Sequence, residues 1–227
     1  MRDPKEILAD HVLLTLKNRK VIGLGTGKTV RKLIETMAKN DLLKDKLIIT
    51  SSIDTDLQLS RANSVVLSVF SGIVPEIYVD SFDFLVESEG KRVLIKGGGA
   101  ALLREKLLSF FSKERLFIGE ETKILSKSEV SVPVEVVPAS FSFILSKLRQ
   151  MGLDPIPRET NGKIGPIVTD NGNLIFDVQL RTEELCKWER NIKQLPGVVE
   201  SGIFCENLYD TIVIASGEGR IQVFQRG

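Results

Sequence analysis

The chain has one histidine, two cysteines, almost no net charge and no long apolar run. Each shortage excludes a class of function. With His11 alone, a Ser-His-Asp triad or a His-rich metal site lacks its basic residues, so acid–base chemistry falls to carboxylates and lysines. His11 sits among Ile7, Leu8, Val12 and Leu16 at helical spacing and is expected on a helix surface or boundary. Cys186 and Cys205 have neither C-x-x-C nor zinc-site spacing, which predicts two reduced thiols in a cytoplasmic protein. Lysine plus arginine (31) nearly balance aspartate plus glutamate (30), against a general nucleic-acid or membrane-surface binder. No segment reaches the length of a membrane span, and the opening residues MRDPKEIL are polar rather than signal-like.

What is present is an alternation of strand and helix patterns through the first half. Helices are predicted over 5–17, 30–39 and 100–113, with strands at 20–24, 47–50, 65–70, 76–79, 92–95 and 116–118. Such alternation implies β-α units and a mainly parallel sheet. Near residues 124–138 the texture changes, with prolines at 133 and 138, then amphipathic stretches at 139–151 and 182–195. Asp170-Asn171-Gly172 between Ile167-Val168 and Leu174–Val178 reads as a hairpin turn. These signs predict a smaller α+β domain, after which strands at 211–215 and 220–224 return to the first sheet.

Two glycine loops stand out. Gly23-Leu24-Gly25-Thr26-Gly27-Lys28-Thr29 follows a strand and opens a helix. Lys28 stands where a dinucleotide fingerprint needs its last glycine, and Ile22 where a P-loop needs its first. The remaining readings are a short cradle for one phosphate and an unliganded βα turn. The second loop reads Lys96-Gly97-Gly98-Gly99-Ala100-Ala101-Leu102-Leu103-Arg104-Glu105-Lys106, bare backbone between a cation and a carboxylate. Asp80 and Asp83 lie just past an apolar strand, where ligands of open α/β sheets bind, although such acids also cap turns.

Together with Pro133-Val134-Glu135-Val136, Val168-Thr169-Asp170-Asn171-Gly172-Asn173 and Pro196-Gly197-Val198-Val199, these motifs follow the order seen in type A ribose-5-phosphate isomerases, which the chain resembles over nearly its whole length. The resemblance implies an α/β fold, a Rossmann-like mostly parallel sheet with helices on both faces, over 1–129 with 205–227. A smaller α+β, ferredoxin-like domain at 130–204 would serve oligomerisation or act as a lid. It implies cofactor-free, metal-free interconversion of ribose 5-phosphate and ribulose 5-phosphate by a homodimer or homotetramer. Glu105 would be the base moving a proton between C1 and C2, with Lys96, Asp80 and Asp83 holding and polarising the open-chain sugar. Thr26, Gly27, Lys28, Thr29 and Lys123 would bind the phosphate, and Ser81, Phe82, Gly97, Gly98 and Gly99 would line the substrate. Three sites depart from the family pattern: Ser81-Phe82 replace Gly-Ala, Phe84 replaces an acid, and Lys28 replaces a serine. The first change is expected to reshape the sugar pocket. A non-catalytic sugar-phosphate sensor of the same fold and a P-loop phosphotransferase are the competing classes; the second requires Mg-ATP binding.

Overall fold

The computed structural model describes residues 2–226. The chain divides into two compact units. Met1–Phe82, Arg104–Ile124 and Glu206–Gly227 form the first, and Asp83–Leu103 with Leu125–Cys205 form the second. Residues 83–103, assigned to the first domain from sequence, cluster with the second unit.

The first unit is built on a sheet of seven strands. Their spatial order is Ile221–Gln225, Thr211–Ala215, Arg115–Glu120, Ile77–Ser81, Val21–Leu24, Leu47–Thr50 and Val65–Leu67. Every neighbouring pair is parallel except the edge pair 211–215 and 221–225. Both tail strands therefore return to this sheet, as their apolar pattern predicts. Helix α1 (Pro4–Leu16) is started by Asp3, whose side chain accepts the Lys5 amide, and by Pro4 in the first turn. Leu8, Val12 and Leu16 of α1 and Val30, Leu33 and Met37 of α2 (Lys28–Lys39) pack on Ile22, Leu24, Ile77, Val79, Leu116 and Ile118. Helix α3 (Ile53–Arg61) lies outside the helices predicted from periodicity. Its signal is Ser52, which accepts the Thr55 amide as N-cap, with Asp54 and Asp56 in the first turn.

The strand order reverses between Val21–Leu24 and Ile77–Ser81. A reversal of this kind opens a crevice outside the carboxyl ends of the two strands, where open α/β sheets bind ligands.

The second unit holds an antiparallel sheet ordered Pro155–Pro157, Leu174–Arg181, Glu129–Val136 and Val198–Ser201. Helix α4 (Leu102–Phe111) starts at the end of this unit's first segment. Helices α5 (Phe141–Gln150) and α6 (Leu185–Lys193) complete a strand-helix-strand-strand-helix-strand course. Spatial order second-third-first-fourth makes this the ferredoxin-like arrangement. Val130, Val132, Val134 and Val136 alternate inward against Ile144, Leu148, Phe176, Leu185 and Ile192. Beside it, Lys91–Ile95 pairs antiparallel with Phe84–Ser88 and with Ile203–Phe204.

Two expectations fail. The turn at Asp170-Asn171-Gly172 forms, with the Thr169 amide bonded to the Asn173 carbonyl at 2.8 Å. It does not join 167–168 to 174–178, because Leu174–Arg181 takes Glu129–Val136 and Pro155–Pro157 as its partners. The turn is instead tied down by the buried Glu135, whose Oε1 accepts from the Thr169 hydroxyl and the Asn173 amide, each at 2.9 Å. Secondly, Cys186 and Cys205 are not free thiols; they form a disulfide. Helix α6 and the end of the 203–204 strand bring their Cα atoms to 6.1 Å, a separation that sequence spacing alone does not reveal.

Candidate functional site

In the first unit, alternation along Ile77–Ser81 puts Ile77 and Val79 into the core with α1 and α2 and turns Tyr78 and Asp80 to the opposite face. The adjacent strand makes room for them. A Cβ on Gly23 would lie 2.9 Å from the Tyr78 ring, and one on Gly25 only 1.8 Å from the Asp80 Cγ. The first glycine of Gly25-Thr26-Gly27 is thus required by a carboxylate.

Asp80 is fully buried. Its Oδ1 accepts the backbone amides of Ser81 at 2.7 Å and Thr26 at 3.2 Å, and its Oδ2 accepts the Tyr78 hydroxyl at 2.5 Å. Asp80 therefore anchors the loop that opens α2. Burial, then the neighbouring charges of Asp80 and Glu105, pushes the Tyr78 phenol well above its ordinary pKa, so it stays a donor. The Thr26 hydroxyl bonds Ser51 at 2.9 Å and Ser52 at 2.7 Å, and the Thr55 hydroxyl bonds the Gly25 carbonyl at 2.9 Å.

Gly27 caps α2 with φ of 110°, a value that favours glycine, and supplies no side chain to the first-turn amides. Lys28 is exposed at the helix start, while Thr29 is buried with its hydroxyl 3.5 Å from Glu120. Glu120 also pairs with Lys5 at 3.1 Å. A bare helix start, two threonines and nearby lysines suit a phosphate. Glu105 lies in the first turn of α4 and is 3% exposed. The Lys123 ammonium donates to the Phe82 carbonyl at 2.6 Å and lies 5.7 Å from the centre of the Phe82 ring. That ring is buried against Gly119, whose Cβ, if present, would lie 2.3 Å from it. Ser81 is buried beside Asp80.

The second unit carries the rest of the expected residues. Lys96 follows the strand Lys91–Ile95, is 2% exposed, and sits 5.7 Å from the Phe204 ring centre. Gly97 has φ of 97° and Ala100, a non-glycine residue, 58°. Asp83 accepts the Gly98 amide at 2.7 Å, and a Cβ on Gly98 would lie 2.9 Å from Asp83 Oδ1. Gly98 and Gly99 are exposed backbone. The structure thus groups Thr26–Thr29, Asp80, Ser81, Phe82, Glu105 and Lys123 in one unit and Asp83, Lys96 and Gly97–Gly99 in the other. Among the described residues no cluster of three or more His, Cys, Asp or Glu side chains could hold a metal ion, and no helix is long and apolar enough to cross a membrane.

Sequence reasoning overlooks Tyr78, Ser51, Ser52, Lys5 and Glu120. The first three had a readable signal. Tyr78 is two positions before Asp80 on one strand face, and Ser51-Ser52 follow Leu47–Thr50 at the strand's carboxyl end, the level at which Asp80 lies on its own strand.

The model of the family described as ribose 5-phosphate isomerase A (phosphoriboisomerase A) matches residues 47–219. Ribose-5-phosphate isomerase A of Borrelia hermsii is 37% identical over 231 residues, covering 98% of this chain and 99% of its own. Ribose 5-phosphate isomerase A from Methanocaldococcus jannaschii superposes with a TM-score of 0.89 at 28% identity, over 98% of both chains. A D-ribose-5-phosphate isomerase solved in complex with phospho-erythronic acid also gives 0.89, at 28% identity over 100% of both chains. Fold, loops and matches define an aldose–ketose isomerase acting on a sugar phosphate. The chain belongs to the ribose 5-phosphate isomerase A family.

Proposed function

We propose that this isomerase works through an enediolate, with Glu105 as the base that carries the proton. The observation behind the reading is a carboxylate 3% exposed in the first turn of a helix that follows the Lys96 glycine loop. In open-chain ribose 5-phosphate, Glu105 takes the C2 proton, electrons move to the C1 carbonyl oxygen, and the same carboxyl returns the proton to C1. The net change moves two hydrogens between C1–O1 and C2–O2, so no oxidant or reductant is consumed. The Lys96 ammonium and Asp83 polarise and orient the two oxygens, while Asp80 acts by holding the Thr26 loop. Thr26, Gly27, Lys28 and Thr29 take the phosphate on the start of α2, with Lys123 adding charge. Gly97–Gly99 give main-chain contact, and Ser81 and Phe82 shape the wall. The same reading makes the protein a cytoplasmic homodimer or homotetramer without metal or organic cofactor. The relative bound to phospho-erythronic acid, a four-carbon phosphorylated acid, supports a site shaped for this chemistry.

A coupled assay of ribose 5-phosphate conversion, with and without EDTA, tests the reading. Activity should survive the chelator, and Glu105→Gln should lower kcat by roughly 10²–10⁴-fold with KM little changed. Near-normal turnover in a folded Glu105→Gln protein would remove Glu105 as the base.

A further inference from the structure

Arg158 lies between the short strands Pro155–Pro157 and Glu159–Thr160 and belongs to none of the motifs that mark the family resemblance. Its backbone is fixed on both sides: its amide donates to the Ile175 carbonyl at 2.8 Å, and its carbonyl accepts the Ile167 amide at 2.9 Å. The side chain is 16% exposed and forked on Asp177, with Nε bonded to Oδ2 at 2.8 Å and Nη2 to Oδ1. A guanidinium held this way keeps one direction. Its remaining nitrogen, Nη1, donates to the Gly97 carbonyl at 2.6 Å and lies 3.4 Å from the Gly98 carbonyl.

We propose that Arg158, oriented by Asp177, is a positioning residue that sets the peptide planes of the Gly97-Gly98-Gly99 loop and, through them, the Asp83 carboxylate. Peptide planarity makes the connection. A peptide's carbonyl and the following amide point in opposite directions, so holding the Gly97 carbonyl on Arg158 aims the Gly98 amide away from it. That amide is the one bonded to Asp83 at 2.7 Å. Holding the Gly98 carbonyl likewise turns the Gly99 amide to the side opposite the guanidinium. The loop needs such a clamp, because glycines supply no side-chain packing and the left-handed Ala100 is disfavoured on its own. Lysine at 158 would keep the charge and lose the fork.

The proposal rests on the reading that Asp83 and the glycine loop serve the isomerase reaction. It is tested with Arg158→Lys and Asp177→Asn in the full chain. Four quantities are measured: kcat, KM, the inhibition constants of phospho-erythronic acid and inorganic phosphate, and the urea midpoint. Each variant should lose on the order of 10²-fold in kcat/KM, because small misplacements of positioning groups cost that much. Affinity for phospho-erythronic acid should fall in parallel, while inorganic phosphate, assigned to the Thr26–Thr29 loop, should bind as before. Combining the two substitutions should add little to either alone, since they break one unit. Unchanged kcat/KM and phospho-erythronic acid affinity in folded variants overturns the proposal. So does a loss that includes phosphate affinity and tracks the urea midpoint, which marks a merely structural role. Glu105→Gln serves as the control: it should lose turnover and keep phospho-erythronic acid affinity. If it keeps turnover, the base assignment fails, whereas the Arg158 result is still read from inhibitor binding.

Discussion

At the residue scale, the buried pair Tyr78–Asp80 carries more of the design than either side chain's type suggests. A carboxylate with no exposed surface depends on its donors, and here they include two backbone amides and the Tyr78 hydroxyl. Removing the hydroxyl in Tyr78→Phe keeps the ring packed edge-on against Phe117 at 6.1 Å but takes away a donor to Oδ2. The expected cost is about 1–3 kcal/mol of stability, with kcat/KM lowered roughly tenfold as the Thr26 loop loosens. The pH dependence has a definite sign. The folded state holds the Tyr78 proton above the ordinary value of 10.0, so it binds more protons than the unfolded chain at alkaline pH. The contribution is intact below about pH 10 and is lost as pH rises further. Urea midpoints at about pH 8 and about pH 11 should show a smaller alkaline loss in Tyr78→Phe than in the wild type. An identical loss in both proteins contradicts the assignment. The sequence displays Asp80 as an acid at a strand end but not its role, because burial and the Thr26 amide arise only when two distant strands pair.

At the element scale, strands are legible wherever apolar alternation is clean and escape where pairing decides. Leu47–Thr50 matches its expected bounds, whereas Phe84–Ser88 is not anticipated. Its residues include Glu87 and Ser88, and the strand is held by its pairing with Lys91–Ile95 across a two-residue turn. In the strand Arg115–Glu120, Gly119 looks like a weak strand residue, yet the Phe82 ring fills the place of its side chain. Phe82, a departure from the family pattern, is thus accommodated by a glycine on a neighbouring strand. Gly119→Ala should cost about 1–3 kcal/mol through overpacking. In a Phe82→Ala background, itself lower by about 3–5 kcal/mol, the same change should cost much less. Urea unfolding of the four proteins checks this. Equal penalties for Gly119→Ala in both backgrounds would break the link between the two residues.

At the scale of the whole molecule, the two-part organisation is readable from the change of texture after residue 124, but its contacts are not. Residues 83–103 precede that change in sequence yet cluster with Leu125–Cys205, because their strands pair with each other and with Ile203–Phe204. The disulfide escapes for the same reason. A spacing of 19 residues fits no metal or redox motif, and only the ferredoxin-like course returns α6 to the end of that short strand. The bond also asks for an oxidising setting, in tension with the cytoplasmic location proposed for the enzyme. Closing a loop of this size stabilises a chain by about 3 kcal/mol through the entropy of the unfolded state. Protein purified without reductant should therefore show no reactive thiol when titrated in denaturant. Dithiothreitol should expose two thiols and lower the unfolding free energy by up to about 3 kcal/mol. Cys186→Ser with Cys205→Ser should reproduce the reduced protein and be indifferent to reductant. Cys205 directly follows Phe204, the ring beneath Lys96, so the reduced form should lose kcat more readily than affinity for inorganic phosphate. Two titratable thiols in the unreduced protein would show that the pair stays open, and its stability should then not respond to dithiothreitol.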